Sequence, residues 1–276
     1  MLYLKKFENH SSYTAQQASL ITPNVSYCND VNDVHYKQKI PDNSVSFICD
    51  NIQPNTTEEV KIQYNTSGAI DTITVDKNNK LYKQICKGGF HRIYSTKDII
   101  SSVTLNVISN IDNSGQFHWF PTNVQGVSIK DCTIGTGSQL INMCSGCTNL
   151  TSFEAINFDV KNATSMESAF SNCSNLVYLD LSGLNHVSKI NNMKNLFNNC
   201  KNLKTIDIST WELQSPTEIE ATGIFGRDVN SYVGNGSFEI IVKKGAHYTK
   251  QVIEYILNEQ YNHNGATVIT CKITEK

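Results

Sequence analysis

The chain has 276 residues, a formal charge of −2 and only two arginines, Arg92 and Arg227. Two arginines build no phosphate-clamping cluster and the charge balance offers no basic face, which sets nucleic-acid binding aside. Charged residues are 17% of the sequence, so Asn, Ser and Thr must cover much of the surface, and the length allows one or two domains.

The opening, Met1 to His10, contains no continuous apolar run, which predicts no ordinary signal peptide. No apolar run approaches the roughly 18 residues of a membrane span. The expectation is a soluble protein made in a cytoplasm. Nine cysteines, an odd number, fit that expectation as reduced, buried thiols rather than a disulfide framework.

Residues 1–40 read as a small attachment unit. Residues 2–7 alternate like a short strand, and residues 13–20 form a short amphipathic helix that Pro23 ends. Residues 25–28 and 34–36 flank a turn-rich stretch, residues 29–33, as a hairpin does. That acidic stretch lacks the Gly and terminal Glu of a calcium loop. Forty residues bury too little to stand alone, so the unit should lean on a partner.

Residues 41–98 read as a small β domain. Residues 45–49, 60–64, 70–75, 81–85 and 90–94 are strand-length runs rich in β-branched and aromatic side chains, separated by turn residues. They suggest a small sandwich or a twisted sheet.

From residue 99 to 242 a repeat takes over. Cys147-Thr-Asn-Leu150, Cys173-Ser-Asn-Leu176 and Cys200-Lys-Asn-Leu203 recur with cysteines 26 and 27 residues apart. A period of that length marks stacked supersecondary units. Each strand phrase has apolar residues at relative positions 1, 4, 6 and 9, clearest in Leu176/Leu179/Leu181/Leu184 and Leu203/Ile206/Ile208/Trp211. Leu150/Phe153/Ala155/Phe158, Val124/Val127/Ile129/Cys132 and Ile100/Val103/Leu105/Ile108 repeat the spacing. Positions 4 and 6 point the same way from a strand, into the interior. Met166/Phe170 and Met193/Phe197 recur at i, i+4, which predicts short return helices on the same core. Asn149, Asn175 and Asn202, with Asn123 before the earlier copy, precede the strands and are expected to pair with backbone groups where each coil turns.

The phrase Cys-x-Asn-Leu-x-x-Leu-x-Leu-Ser, with Asn162-Ala-Thr-Ser-Met166 and the return to Cys173, resembles the BspA-like leucine-rich repeats. These occur in surface proteins of Bacteroides and Mycoplasma-type bacteria and in proteins of their phages. The resemblance covers about half the chain. Residues 3–7, 23–28 and 34–36 resemble an opening found on structural and fibre-like proteins of Bacteroides (crAss-like) phages, and residues 41–98 resemble the small sheet that often precedes such repeats.

Residues 249–260 read as a helix with Val252, Ile253, Ile256 and Leu257 on one face, and residues 266–273 as a strand. Residues 243–276 would thus cap the open end of the repeats. The expected fold class is α+β: a small N-terminal docking unit and β-sheet domain, then a short leucine-rich-repeat solenoid with a C-terminal helix/strand cap.

For chemistry, Cys144-x-x-Cys147 is the one close cysteine pair, and no second pair stands at metal-ligand spacing. Cys147 shares the repeat's own cysteine position with Cys173 and Cys200, which predicts structural thiols. The seven histidines are scattered, and no HExxH, GxSxG or P-loop phrase occurs. No catalytic residue, cofactor or metal is therefore expected. The insertion at residues 112–121 carries His118, Trp119 and Phe120, the candidate binding residues, since repeat insertions often lie on a binding face. Its other role, and the favoured one, is for Trp119 and Phe120 to plug the junction between sheet and first coil.

The resemblance, the opening and the low-charge surface imply a non-enzymatic phage virion structural protein, head- or tail-associated, located in the virion. Residues 1–40 would dock on other virion proteins, and the repeats would present a surface to host glycan or protein. A homo-oligomer fits a fibre. The alternative is a bacterial surface adhesin with BspA-like repeats.

Overall fold

A computed structural model describes residues 44–64, 70–85, 90–106, 118–262 and 268–276. The expected attachment unit, residues 1–40, lies outside the described residues, as do Ile108 and residues 112–117 of the insertion.

The five strands expected in residues 41–98 form: β1 (Ser44–Cys49), β2 (Thr57–Tyr64), β3 (Ile70–Asp76), β4 (Leu81–Ile85) and β5 (Phe90–Ser95). In β2 the alternation sends Val60, Ile62 and Tyr64 inward and Glu59, Lys61 and Gln63 to the other face. The strands divide between two sheets. One is antiparallel with order β3-β2-β5. In the other, β1 pairs antiparallel with β4 and with β6 (Ile100–Asn106), and β7 (Gly126–Lys130) and β8 (Ser152–Ile156) follow in parallel, giving β4-β1-β6-β7-β8. Residues 44–49 and 81–85 therefore begin the same sheet that the repeat strands continue.

Beyond them, β10 (Tyr178–Asp180), β12 (Thr205–Ile208), β13 (Ser237–Val242) and β14 (Thr270–Glu275) form an all-parallel sheet, and β9 (Phe158–Asp159) pairs with β11 (Leu184–Asn185). The register aligns Val103, Val127 and Phe153 in one sheet and Leu179, Ile206, Ile240 and Ile273 in the other. The described residues at positions 1, 4, 6 and 9 of every copy are buried, and they join one core.

The expected fold class is corrected here. The chain is mostly β, with fourteen strands in four sheets and one short α-helix among the described residues, not an α+β leucine-rich-repeat solenoid. The return segments show why. A helix would spend the N–H of Phe170 on the carbonyl four residues back. Instead the N–H groups of Met166, Ser168, Phe170 and Asn172 donate to the carbonyls of Asn192, Lys194, Leu196 and Asn198 in the next layer, at 2.8–3.0 Å. Alternate residues bonding sideways is the parallel-strand pattern. Met193, Asn195 and Phe197 repeat it onto Glu220, Thr222 and Ile224. Ser168 and Asn195 also take left-handed backbone, φ 56° and 54°, which no α-helix interior contains. The i, i+4 spacing of Met and Phe thus arises from a tight turn that points both side chains inward.

The one α-helix among the described residues, α1 (His247–Ile256), continues through a wider turn at Leu257–Tyr261 and buries Val252, Ile253, Ile256 and Leu257, the face its spacing predicted. It covers the last layer by replacing the partners a further layer would supply. The Phe225 N–H donates to Tyr261 Oη (3.0 Å), the Gly223 N–H to Gln260 Oε1 (3.2 Å) and the Leu213 N–H to Thr249 Oγ1 (3.1 Å). Without these acceptors the layer would carry unsatisfied N–H groups. No helix among the described residues is long and apolar enough to cross a membrane.

Candidate binding face

The lateral bonds put equivalent residues of successive layers in register: Leu140, Met166, Met193 and Ala221 in one row, Cys144, Phe170, Phe197 and Phe225 in another. In the second row Phe197 stacks on Phe170 (6.3 Å between centroids, 23°) and on Phe225 (6.4 Å, 9°). The rings fill the core of the returns and fix their spacing.

The repeat cysteines form a third row. Cys173 Sγ donates to the Cys144 carbonyl (3.1 Å), Cys200 Sγ to the Phe170 carbonyl (3.0 Å) and Cys147 Sγ to the Pro121 carbonyl (3.4 Å). Each thiol therefore reaches back one layer. The Cys144 and Phe170 carbonyls already accept the N–H of Cys147 and Cys173, so the thiol takes the second lone pair. These three thiols and that of Cys144 are buried and free. Burial pushes the Cys144 and Cys173 thiols well above the ordinary range, which keeps them protonated and able to donate. Leu150, Leu176 and Leu203 close the adjoining turn by donating their N–H groups to Cys147, Cys173 and Cys200. Asn149, Asn175 and Asn202 do not serve that turn through their side chains. They stand exposed, and the backbone bonds do the work expected of them.

The asparagines that do bridge layers are others. Asn172 and Asn199, both with left-handed backbone, join side chain to side chain, Asn199 Nδ2 donating to Asn172 Oδ1 at 2.8 Å. Asn142, Ser168 and Asn195 form a parallel row, also left-handed, and Gly223 takes their place in the last layer. Asparagine tolerates this backbone better than other non-glycine residues. The outcome is a face of amides and hydroxyls held at the interlayer spacing of about 4.8 Å.

Of the residues expected to bind, His118 is exposed, but Trp119 and Phe120 are 0% and 1% exposed and form no surface. This corrects their candidate binding role in favour of the plug. The Trp119 backbone N–H donates to the Met143 carbonyl, its own carbonyl accepts the Ile93 N–H, and its ring lies edge-on to Phe158 at 6.3 Å. Phe120 stacks on Phe90 at 6.3 Å. Together they tie the β3-β2-β5 sheet to the first layers.

A different insertion reaches solvent. Phe197 and Cys200 are three residues apart, whereas the equivalent Phe225 and Val233 are eight apart, leaving five extra residues. The signal was present in the sequence as a break in period: after intervals of 26 and 27 residues, the cysteine position falls to Val233 at an interval of 33. The loop is closed at its base by the Val233 N–H on the Phe225 carbonyl (3.0 Å) and by Tyr261 Oη on the Gly226 carbonyl (3.0 Å). Inside it, Ser231 Oγ accepts the N–H groups of Arg227 and Asp228 and donates to the Asp228 carbonyl, while Asp228 Oδ1 accepts the Asn230 N–H. Val229 stands at its tip, 74% exposed.

Arg227 is fixed across the amide face. Its backbone N–H donates to Asn198 Oδ1 (3.1 Å) and its Nε to Asn195 Oδ1 (2.7 Å), an amide only 8% exposed. Gly223 supplies the notch: a Cβ there would lie 2.7 Å from Asn195 Oδ1 and 3.0 Å from Arg227 Cγ. Sequence reasoning passed over these residues because they come from two layers some thirty residues apart and meet only when those layers stack. Among the described residues no group of three His, Cys, Asp or Glu side chains is arranged as metal ligands.

No curated protein and no solved structure matches the chain. Residues 134–232, about a third of the chain and the part that builds the amide face and its loop, match the model of a family described as Mycoplasma protein of unknown function, DUF285, a BspA-like family.

Proposed function

We propose that this protein is a non-enzymatic structural and binding protein whose stacked returns present the amide face to a protein partner, and that it does so on a phage virion to which residues 1–40 attach it. One observation carries the binding reading. The polar side chains of the returns are set in rigid rows by bonds between layers, Asn199 to Asn172 and Arg227 to Asn195, and so form an extended preorganised surface. The thiols that chemistry would need are instead occupied as donors inside the stack. The virion setting rests on the resemblance of the opening to phage structural proteins.

A second reading, a bacterial surface binding protein, is favoured by the family description, which refers to Mycoplasma. Quantitative mass spectrometry on purified particles and on envelope fractions of the same host separates the two. The virion reading expects the chain at fixed copy number in particles, and a form lacking residues 1–40 to fold but not to join them. Recovery only from the envelope, or normal incorporation of the truncated form, would overturn it.

A further inference from the structure

We propose that the loop at residues 226–231 is the anchor of the binding face, and that it takes a protein partner presenting a carboxylate beside an apolar pocket: Arg227 holds the carboxylate and Val229 enters the pocket. This rests on the proposed binding role and names its partner chemistry.

The charge argument starts from the other cations. Among the described residues ten lysines, Lys61, Lys97 and Lys194 among them, have an acidic partner within 4 Å, while Lys204 bonds instead to the Gly234 carbonyl. Arg227 has none among the described residues. Its fixed contacts run to neutral amides, Asn198 and Asn195. The bond through Nε orients the guanidinium and leaves its two terminal nitrogens for a planar, bidentate acceptor, which is the geometry of a carboxylate. The position is built rather than incidental, since three residues of two successive layers cooperate: Gly223 opens the notch, and Asn195 and Asn198 of the layer before it offer a buried oxygen inside it and an acceptor for the Arg227 backbone.

A lone exposed valine needs no explanation on most surfaces. Here its backbone is cross-bonded on both sides by Ser231 and Asp228, and a β-branched side chain has little rotamer freedom left to lose. An apolar tip beside an oriented charge, both preorganised, is the make-up of a protein–protein anchor. A glycan would be met by an exposed aromatic platform; the aromatic beside the loop, Tyr232, is half-buried edge-on against Tyr261, and the loop's own acid, Asp228, accepts the Asn230 N–H.

The test pans a random dodecapeptide display library on the full chain and measures the recovered peptides by calorimetry. Acidic residues next to apolar ones should dominate the selected sequences. Affinity should fall about tenfold or more for Arg227→Ala and for Gly223→Asn, a residue that suits the left-handed backbone but fills the notch. Val229→Ser should cost several-fold, and Lys77→Ala, in the turn between β3 and β4, should change nothing. Unfolding midpoints of all variants are recorded so that lost binding is not lost fold. Peptides that bind every variant equally, an absence of binders, or Arg227-dependent binding of polygalacturonate instead would each overturn the proposal. The chain remaining on purified particles while Arg227→Ala binds peptide normally sinks the anchor alone; its absence from particles sinks only the virion setting.

Discussion

Phe197→Ala is the perturbation whose size follows most directly from the layered core. Phe197 is buried between Phe170 and Phe225, nearly parallel to both rings. Removing a buried Phe side chain costs about 3–5 kcal/mol from lost transfer and the cavity left behind. Each aromatic pair is worth roughly 0.5–1.5 kcal/mol of that, so two pairs place this site toward the upper half of the range. In a layered chain each unit is stabilised mainly by its neighbours, and this one change weakens two interfaces. At roughly 2–4 °C per kcal/mol for a chain of this size, the midpoint should drop by about 8–20 °C. Phe197→Leu keeps most of the apolar volume but loses both ring pairs, so it should cost about 1–3 kcal/mol, less than the alanine variant. Urea unfolding followed by tryptophan fluorescence reads the effect, because buried Trp119 and Trp211 lie on opposite sides of the substituted layer in sequence. A loss below about 1 kcal/mol for the alanine variant, or equal losses for alanine and leucine, would refute the ring stack as the element that holds the returns together.

Three further outcomes follow from the same structure. Burial, with Asp50 beside Cys49, pushes the Cys49 thiol up to about 12, burial does the same at Cys271, and burial raises the Tyr261 hydroxyl to about 12. The folded state then keeps protons that the unfolded chain releases, so stability is full below about pH 9 and falls as pH rises from 9 toward 12; a midpoint that holds or climbs across that window contradicts this. Tyr261→Phe removes the acceptor of the Phe225 N–H and the donor to the Gly226 carbonyl, and should cost about 1–3 kcal/mol with faster hydrogen exchange at Phe225; unchanged exchange there argues against capping by the tyrosine. Gly183→Ala would put a Cβ 1.8 Å from the Ala155 carbonyl oxygen, so the backbone must shift and little soluble protein should be recovered, whereas wild-type yield would mean the two layers are not in contact at that point.

The inward pattern of the repeat was legible because burial acts on every copy alike. Leu176, Leu179, Leu181 and Leu184 point inward as their spacing required, and so do their counterparts. The strands of residues 44–95 were legible for the same local reason. Their division between two sheets was not, since β1 meets β6 across some fifty residues and no local residue choice specifies that pairing. The returns were misread because Met166/Phe170 spacing suits a helix and a sideways-bonded turn equally. Ser168 and Asn195 held the distinction, as positions that break a helix by left-handed backbone. At the insertion, the sequence left Trp119 and Phe120 two roles and favoured the plug, and both rings are buried at the junction. The loop at Arg227 gave only a change of interval, because Gly223, Asn195 and Asn198 come together only once the layers stack.

The sideways bonding of the returns is the claim on which the face, the thiol row and the loop all depend. Through-hydrogen-bond couplings in deuterated, ¹⁵N,¹³C-labelled protein measure it without intermediaries. The account predicts a coupling from the Phe170 amide nitrogen to the Leu196 carbonyl carbon, with Ser168 to Lys194 and Asn172 to Asn198 alongside. A coupling from Phe170 to the Met166 carbonyl would show a helical return and contradict the layered fold.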